Sequence, residues 1–189
     1  MKMSAIISAF LSLLLVQSAH AQTVRSSATK VDVYFSPNGG CTQAITNALN
    51  SAKRSVLVQA YSFTSAPIAK AIVDAHKRGV KVNVILDKSQ RTEKYSSATF
   101  LENNGVPTFI DDKHAIAHNK VMVIDGVMVI TGSFNFTKAG EEKNAENLLI
   151  IQDPVLAAKY SENWNAHRKH SDSYQRGVVS EQQRKKECR

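Results

Sequence analysis

The sequence HNKVMVIDGVMVITGSFNFT, residues 118–137, holds two short apolar runs on either side of the pair Asp125-Gly126. An Asp-Gly pair between apolar runs is a strong signal for a two-residue type I′ β-hairpin, because both residues tolerate a positive φ. The sequence therefore predicts two antiparallel strands that meet at this pair, with Ile124 facing Val127.

This register brings polar side chains to one face of the hairpin. Counting outward from the turn puts Lys120 opposite Thr131 and His118 opposite Ser133. Since side chains alternate along a strand, His118, Lys120 and Ser133 are expected on the same face. Asn135 starts on that face too if the strand continues. Such cationic and hydrogen-bonding groups suit a phosphate, and a histidine can attack phosphorus or protonate a leaving oxygen.

Strand and helix patterns alternate on both sides of the hairpin. Strands are predicted at residues 30–35, 55–62, 80–87, 106–111, 120–124, 127–131 and 146–152. Helices are predicted at residues 41–53, 66–78, 96–104 and 154–170. The expected buried side of the last helix comprises Val155, Leu156, Ala158, Tyr160 and Trp164. Alternating helices and strands with one hairpin indicate an α/β fold, a mixed β-sheet flanked by helices, with a parallel pair across residues 55–87.

The first residues resemble an export signal. A short basic start precedes an apolar run, and AHA at residues 19–21 is a small-x-small cleavage site. The apolar run is shorter than the ~20 residues that span a bilayer, so cleavage after Ala21 is favoured over a membrane anchor. We expect a signal peptide at residues 1–21, one domain at 22–175 and a polar, basic tail at 176–189 of a periplasmic or secreted protein.

The charge of the chain narrows the class of its partners. The formal net charge is +8. A basic surplus of this size suits a polyanionic partner, either nucleic acid or an anionic membrane surface. Simple solubility is the plainer explanation, so charge alone does not decide between them.

Two cysteines, Cys41 and Cys188, follow the expected cleavage site. Export permits a disulfide, and two cysteines allow a single intramolecular pairing. An intermolecular bond and two free thiols are the alternatives that the sequence leaves open.

The spacing of the polar residues around the hairpin resembles the HKD signature of the phospholipase D superfamily. The matching positions are, in order, His118-x-Lys120, Asp125 after four further residues, and Gly132-Ser133-x-Asn135 after six more. The single copy of the motif, the export signal and the run GSFNFT at residues 132–137 look like the bacterial Nuc-type periplasmic endonucleases. The resemblance covers about residues 30–170.

The resemblance implies a two-step hydrolysis of a phosphodiester. His118 would attack phosphorus and form a phosphohistidine, which water then hydrolyses. Lys120, Ser133 and Asn135 would bind the phosphate. The mechanism uses two such histidines, one as nucleophile and one as general acid, and this chain has one motif. The resemblance therefore implies a homodimer with its active site at the two-fold interface, and it implies neither a cofactor nor a metal.

Two acidic residues near the motif receive different interpretations. Glu146 matches the family's downstream acidic residue, so it is a candidate catalytic residue that holds a ring nitrogen of His118. A solvated strand end is its plainer interpretation. Asp125 lies roughly 23 Å from His118 along an extended strand at ~3.3 Å per residue. Asp125 is therefore interpreted as structural, together with Gly126 and Gly132.

The other histidines are interpreted as surface or core residues without a role in catalysis. They are His76, His114, His167 and His170. His114 with His118 lacks a third metal ligand at a persuasive spacing, so no metal site is predicted.

Three functions compete on this basis. The first is a metal-independent, nonspecific endonuclease on DNA, with RNA as a further substrate left open. The second is a phospholipase D-type phosphodiesterase acting on phospholipids, which is disfavoured because the chain shows no apolar lid and its charge suits a long polyanion. The third is a nucleic-acid-binding module without catalysis, and the complete motif argues against it.

Overall fold

The computed structural model describes residues 29–176, which form a mixed eight-stranded sheet with helices on both faces. The strands are β1 Lys30–Ser36, β2 Ser55–Ala60, β3 Lys81–Asp87, β4 Thr108–Asp111, β5 Lys120–Ile124, β6 Met128–Gly132, β7 Glu146–Gln152 and β8 Asp172–Ser173. The helices are α1 Cys41–Ser51, α2 Ala66–Lys77, α3 Ala98–Asn103, α4 Lys138–Glu142 and α5 Pro154–Arg168, with a 3₁₀ turn at Lys88–Arg91. The α/β prediction is confirmed, and the short elements α4 and β8 were not predicted.

Several expectations fall on residues beyond this range. The expected signal peptide, Cys188 and all of the expected tail except Arg176 lie outside the described residues. Cys41 is fully buried at the start of α1, and burial raises the pKa of its thiol to about 11. Its pairing with Cys188 stays a prediction. Among the described helices, none has the length and apolar character needed to cross a membrane.

The order of the strands across the sheet is β1-β7-β6-β5-β2-β3-β4-β8. The predicted parallel pairing of β2 with β3 is confirmed, and β3 also pairs in parallel with β4. The other pairs are antiparallel. As a result β1, β2, β3, β4 and β6 end along one row of strand ends, where β5, β7 and β8 begin. We call this row of strand ends the upper edge, as distinct from the outermost strands β1 and β8.

Helices α1, α2 and α3 cover one face of the sheet, and α5 covers part of the other. Fully buried Ile45, Ile72 and Leu101 join the first three helices to the main core. On the second face Trp164 is 4% exposed, and its indole Nε1–H donates to the Val58 carbonyl at 2.8 Å. The indole is therefore buried without leaving an unpaired donor.

The buried side of α5 matches the prediction in part. Trp164 is buried, and Leu156 and Tyr160 pack against the core of the second face, as predicted. Val155 is 50% exposed and Ala158 is exposed, whereas Ala157 is buried. Ala157 and Trp164 lie two helical turns apart and therefore on one stripe. Apolar residues are spread widely around this helix, so the large indole decides its rotation and the sequence period does not.

The β5–β6 hairpin keeps the predicted turn residues but not the predicted register. Asp125 and Gly126 both have positive φ, 56° and 69°, and the Val127 N–H donates to the Ile124 carbonyl at 3.1 Å. The ladder nevertheless pairs Ile124 with Met128. Val127 is thus an extra residue after the turn, and the predicted pairing of Ile124 with Val127 is wrong by one position.

The Asp125 carboxylate ties the hairpin to the start of β2. It accepts backbone N–H bonds from Lys53, Arg54 and Ser55 at 2.7–3.2 Å. The Arg54 guanidinium donates to the Asp125 carbonyl oxygen. Burial by itself would raise the pKa of Asp125, but these hydrogen bonds lower it overall. The geometry gives Asp125 a structural task at the turn.

Asp125→Ala is expected to destabilise the fold by roughly 1–3 kcal/mol, because backbone donors lose their acceptor. Asp125→Asn keeps one acceptor oxygen and tolerates the positive φ, so it should lose less. The lowered pKa means that the stabilisation by Asp125 is present above about pH 4 and is lost as the pH falls further. Urea unfolding near pH 7 and near pH 3 measures both effects. Equal stability of wild type and Asp125→Ala near neutral pH would contradict this assignment.

Candidate active site

The predicted site residues lie along the upper edge of the sheet. Lys120 begins β5 and pairs with Ala60 at the end of β2. Gly132 ends β6 immediately before Ser133, and Glu146 begins β7. The fold therefore brings the ends of four strands together around Lys120.

His118 and Lys120 form the centre of this site. Lys120 is 7% exposed, and its Nζ lies 3.1 Å from His118 Nδ1 and donates to the His118 carbonyl at 2.8 Å. His118 is exposed, and its ring centroid lies 4.6 Å from that of Tyr61. The Tyr61 ring also lies 5.3 Å from Lys120 Nζ. The buried Lys120 side chain thus contacts the His118 imidazole, which is exposed to solvent.

The contact with Lys120 determines where a neutral His118 ring carries its proton. An ammonium group only donates, so Nδ1 acts as the acceptor and the ring proton sits on Nε2. In that tautomer Nε2 has no lone pair with which to attack phosphorus. Attack by Nε2 therefore requires the ring proton to sit on Nδ1 instead. For this, Lys120 must leave Nδ1, and another group must accept the hydrogen bond of Nδ1–H.

The negative charge of Glu146 offsets only part of the cost of burying the Lys120 ammonium group. Burial lowers the pKa of Lys120, while the negative charge of Glu146 acts in the opposite direction. Glu146 belongs to the same sheet face as Lys120, because Leu148 and Met122, each two residues further on, share the main core cluster. An anionic group bound at the upper edge would therefore stabilise the ammonium form.

The expected hydrogen bond between Glu146 and His118 is not formed within the described residues. Oε1 of Glu146 accepts a bond from Asn144 Nδ2 at 3.1 Å, and His118 Nδ1 contacts Lys120 instead. Glu146 thus acts on Lys120 through its charge in this arrangement, without holding the imidazole.

Ser133 lies just past the position opposite Lys120. The ladder pairs Val121 with Thr131, so the predicted pairing of Lys120 with Thr131 is wrong by one position. Strand β6 ends at Gly132, which has a φ of +148°, so alternation along the strand does not decide on which face Ser133 lies, and its sharing a face with Lys120 stays a prediction. Ser133 is exposed, and its Oγ accepts bonds from Asn147 N and Nδ2 at 3.0 and 3.3 Å. Its hydroxyl proton is available to donate.

Asn135 carries a buried acceptor atom that lacks a partner. Its Oδ1 makes no hydrogen bond in the described part of the chain. The flanking Phe134 and Phe136 are fully buried and fix this segment in the core. An unpaired buried acceptor costs roughly 1–3 kcal/mol. A phosphodiester only accepts hydrogen bonds, so it would bind the Nδ2 donor of Asn135 and leave Oδ1 to another donor.

Gly132→Ala is expected to disrupt the end of β6. Gly132 has a φ of +148°, and a Cβ there would lie 2.3 Å from the Asn147 carbonyl oxygen. We expect a destabilisation of roughly 2–4 kcal/mol and an activity loss of about 100-fold, because Ser133 is displaced. Gly126→Ala is the control, since its φ is also positive but nothing lies within 4 Å of the added Cβ. Thermal unfolding and initial rates compare the two variants, and equal losses would contradict the assignment.

A second group of ionisable side chains lies at the upper edge, away from Lys120. Its members are Asp111, His114, His167 and His170, whose ligand-type atoms lie within 4.8 Å of one another. The interpretation of His114, His167 and His170 as surface or core residues did not include this grouping. The contact of His167 with Asp111 spans 56 positions, so the spacing along the chain held no signal for it.

Comparison with known proteins places this geometry in a family. Residues 45–168 match the family model of the cardiolipin synthase, PLD-like domain. A Rickettsia conorii protein described as phospholipase D is 43% identical over 154 residues, which cover 82% of this chain and 77% of that protein.

Two solved structures are also similar to the chain. Nuc from Salmonella typhimurium, described as a phospholipase D family member, has a TM-score of 0.75 and 40% identity. NucT from Helicobacter pylori has a TM-score of 0.72 and 26% identity. The first match covers 78% of this chain and the second 77%, and each covers 99% of the other protein's chain.

Proposed function

Because the chain belongs to the phospholipase D superfamily and is a phosphodiesterase, we propose that it is a metal-independent endonuclease that cleaves DNA. The observation that carries this proposal is the contact between the exposed His118 imidazole and the buried Lys120 ammonium group at the upper edge of the sheet. The net charge of +8 favours a long polyanion, and the similar structures include Nuc and NucT. Recognition through the phosphate backbone implies little base preference, and RNA is a second substrate to be tested.

The proposed reaction has two steps. In the first, Nε2 of His118 attacks phosphorus, and a P–N bond forms as the P–O bond to the leaving oxygen breaks. The leaving oxygen takes a proton from the His118 imidazole of a second subunit. In the second step that imidazole accepts a proton from water, which attacks phosphorus and breaks the P–N bond. The products are a free hydroxyl and a phosphate monoester.

The neighbouring side chains are assigned to phosphate binding and to positioning. Lys120, Ser133 and Asn135 would hold the phosphoryl oxygens through one charge and two hydrogen-bond donors. A bound phosphate would draw the Lys120 ammonium away from His118 Nδ1. Nδ1 would then carry the ring proton and donate a hydrogen bond to Glu146, whose charge already acts on Lys120. Glu146 is thus proposed as the residue that sets the reactive tautomer.

Two histidines in one active site require two chains, so the functional unit is proposed to be a homodimer. An apolar row on the edge strand β1 supports a contact between copies: Val31, Val33 and Phe35 are 48%, 50% and 66% exposed. Phe35 pairs with Asn147, the residue that bonds Ser133. The row therefore reaches the candidate site, and its burial between two copies would bring their sites near each other.

Phe35→Glu is expected to weaken self-association by about 10-fold or more, because it places a charge in the proposed contact. Nicking activity should fall in parallel at low protein concentration. Phe100→Glu is the matched control, since Phe100 is 44% exposed on α3, which packs beside β4, far from β1 in the sheet. Sedimentation velocity measures the association. A dimer that persists unchanged in Phe35→Glu would exclude this row from the interface.

A phospholipid substrate is the second candidate, favoured by the description of the Rickettsia conorii relative as phospholipase D. The same protein preparation should be offered plasmid DNA, RNA and phosphatidylcholine vesicles. We expect cleavage of DNA and no release of choline. Release of choline without cleavage of either nucleic acid would reverse this ranking.

We also propose that residues 1–21 are a cleavable signal peptide and that the protein is periplasmic or secreted. Intact mass and N-terminal sequencing of the exported protein test this. A mature chain that starts at Gln22 is expected, and a chain that retains the first residues in the cytoplasmic fraction would refute export.

A further inference from the structure

The cluster of Asp111, His114, His167 and His170 is assembled by the docking of α5 on the sheet. Asp111 is the last residue of β4, and His114 lies in the loop that leads to His118. His167 lies in the last turn of α5, and His170 follows the helix end. Trp164 packs with Phe109 of β4, and β8 pairs with β4 directly after this segment. The backbone around the cluster is therefore fixed from two sides.

The three histidine side chains converge on one carboxylate oxygen of Asp111. Asp111 is fully buried, and its Oδ2 lies 2.7 Å from His167 Nδ1, 3.1 Å from His114 Nδ1 and 3.3 Å from His170 Nε2. The centroids of the three imidazole rings lie 4.8–5.4 Å apart. Three ring nitrogens and one oxygen thus share one small volume.

Hydrogen bonding alone leaves this arrangement incomplete. Oδ1 of Asp111 already accepts the Lys113 N–H at 3.1 Å, and both carboxylate oxygens contact His114 Nδ1. His170 Nε2 is buried and points into the cluster, but at 3.3 Å from Oδ2 it makes no hydrogen bond of acceptable geometry. The Asp111 carboxylate thus satisfies this buried nitrogen poorly, and imperfect pairing of a buried polar group costs free energy.

We propose that Asp111, His114, His167 and His170 form a binding site for one divalent transition-metal cation, for which Zn²⁺ is the best fit. Three imidazoles and a carboxylate are ligands that Zn²⁺ takes in tetrahedral sites. Bonds of about 2.0–2.1 Å place tetrahedral ligand atoms roughly 3.3 Å apart. The present atoms lie within 4.8 Å of one another, so small rotations of the rings suffice.

The role of such an ion would be structural. Four protein ligands leave a tetrahedral site closed to substrate. In the sheet, β4 lies three strands from β5, which is about 14 Å at the usual spacing of strands. The ion would instead clamp the loop after β4 to the end of α5. That loop continues into Ala117, whose N–H donates to the buried Asp87 carboxylate at 2.7 Å, and then into His118.

The test is direct metal binding by the full chain without a histidine tag. Protein is freed of metal with a chelator, titrated with Zn²⁺ and measured by elemental analysis and thermal unfolding. We expect one Zn²⁺ per chain and a rise in Tm of about 5 °C or more. With Co²⁺ we expect the visible absorption bands of a tetrahedral site. Wild-type protein that retains no Zn²⁺ and shows no shift in Tm would overturn the proposal.

Single-histidine variants distinguish a metal ligand from a hydrogen-bonding residue. His170→Ala removes the nitrogen that Asp111 pairs least well, at 3.3 Å, so the Tm of the metal-free protein should fall little while its Zn²⁺ affinity falls about 10-fold or more. His114→Ala, on an exposed loop, should show the same loss. His118→Asn is the control with an imidazole removed outside the cluster, and it should bind Zn²⁺ as wild type does. Undiminished binding in both cluster variants would show that the site lies elsewhere.

Discussion

Replacement of His118 by asparagine is expected to lower the rate of DNA cleavage by about 10⁴-fold or more, because the attacking nitrogen is removed. The fold should remain, since His118 is exposed and its side chain contacts Tyr61 and Lys120 at the rim. Initial rates of plasmid nicking and thermal unfolding of the same preparation measure the two quantities. Retained cleavage in a folded variant would remove His118 from the reaction.

The same variant tests whether two subunits share one site. Subunits of wild type and His118→Asn are mixed in equal amounts and allowed to exchange. If both histidines of a dimer are needed, about a quarter of the dimers keep activity, whereas independent subunits would keep about half. An activity near half would contradict the shared site while leaving the role of His118 intact.

Lys120→Met is expected to lower the cleavage rate by about 10²–10³-fold, because the charge that faces the phosphate is lost. The same change should leave the fold as stable as wild type or stabilise it by up to about 2 kcal/mol. The reason is that Lys120 is 7% exposed and burial lowers its pKa, so its charged form is unfavourable without a bound anion. Methionine fills a similar volume without that charge.

Lys70→Met serves as the matched control for Lys120→Met. Lys70 lies on α2 with its side chain 72% exposed and paired with Asp74, so its loss should change neither rate nor stability appreciably. Steady-state kinetics and urea unfolding are measured on both variants. A Lys120→Met protein that is strongly destabilised, or that cleaves at the wild-type rate, would contradict the assignment.

The strand and helix positions were predictable because apolar runs and turn residues mark them locally. Lys120–Ile124 and Glu146–Gln152 have the predicted bounds at both ends. The register of the hairpin was not predictable from the same pattern. An Asp-Gly turn with or without the extra residue Val127 has the same sequence signature, and one residue changes which residues of β5 and β6 face each other.

The parts of the site that depend on contacts distant in sequence escaped prediction. Asn147 in β7 donates to Ser133, which follows the neighbouring strand β6, and no residue pattern singles Asn147 out. The histidine cluster needs the end of α5 to dock beside β4, and no local pattern predicted that His167 and His170 would meet Asp111 there. His118 and Lys120, by contrast, were found because the motif is local and its members lie two residues apart.

The proposed metal site and the proposed metal-free reaction make separable predictions. Removal of Zn²⁺ from the cluster should lower Tm and leave the chemistry at His118 unchanged while the protein is folded. Activity measurements in a chelator therefore need the fold to be monitored at the same temperature.

The measurement that tests the central claim most directly is plasmid nicking in excess EDTA by folded wild type beside His118→Asn, with circular dichroism on both. We predict that wild type converts supercoiled plasmid to nicked circles and that His118→Asn does not. Absence of cleavage by wild type that is folded and dimeric in EDTA, with cleavage restored by an added divalent cation, would contradict a metal-independent histidine nuclease.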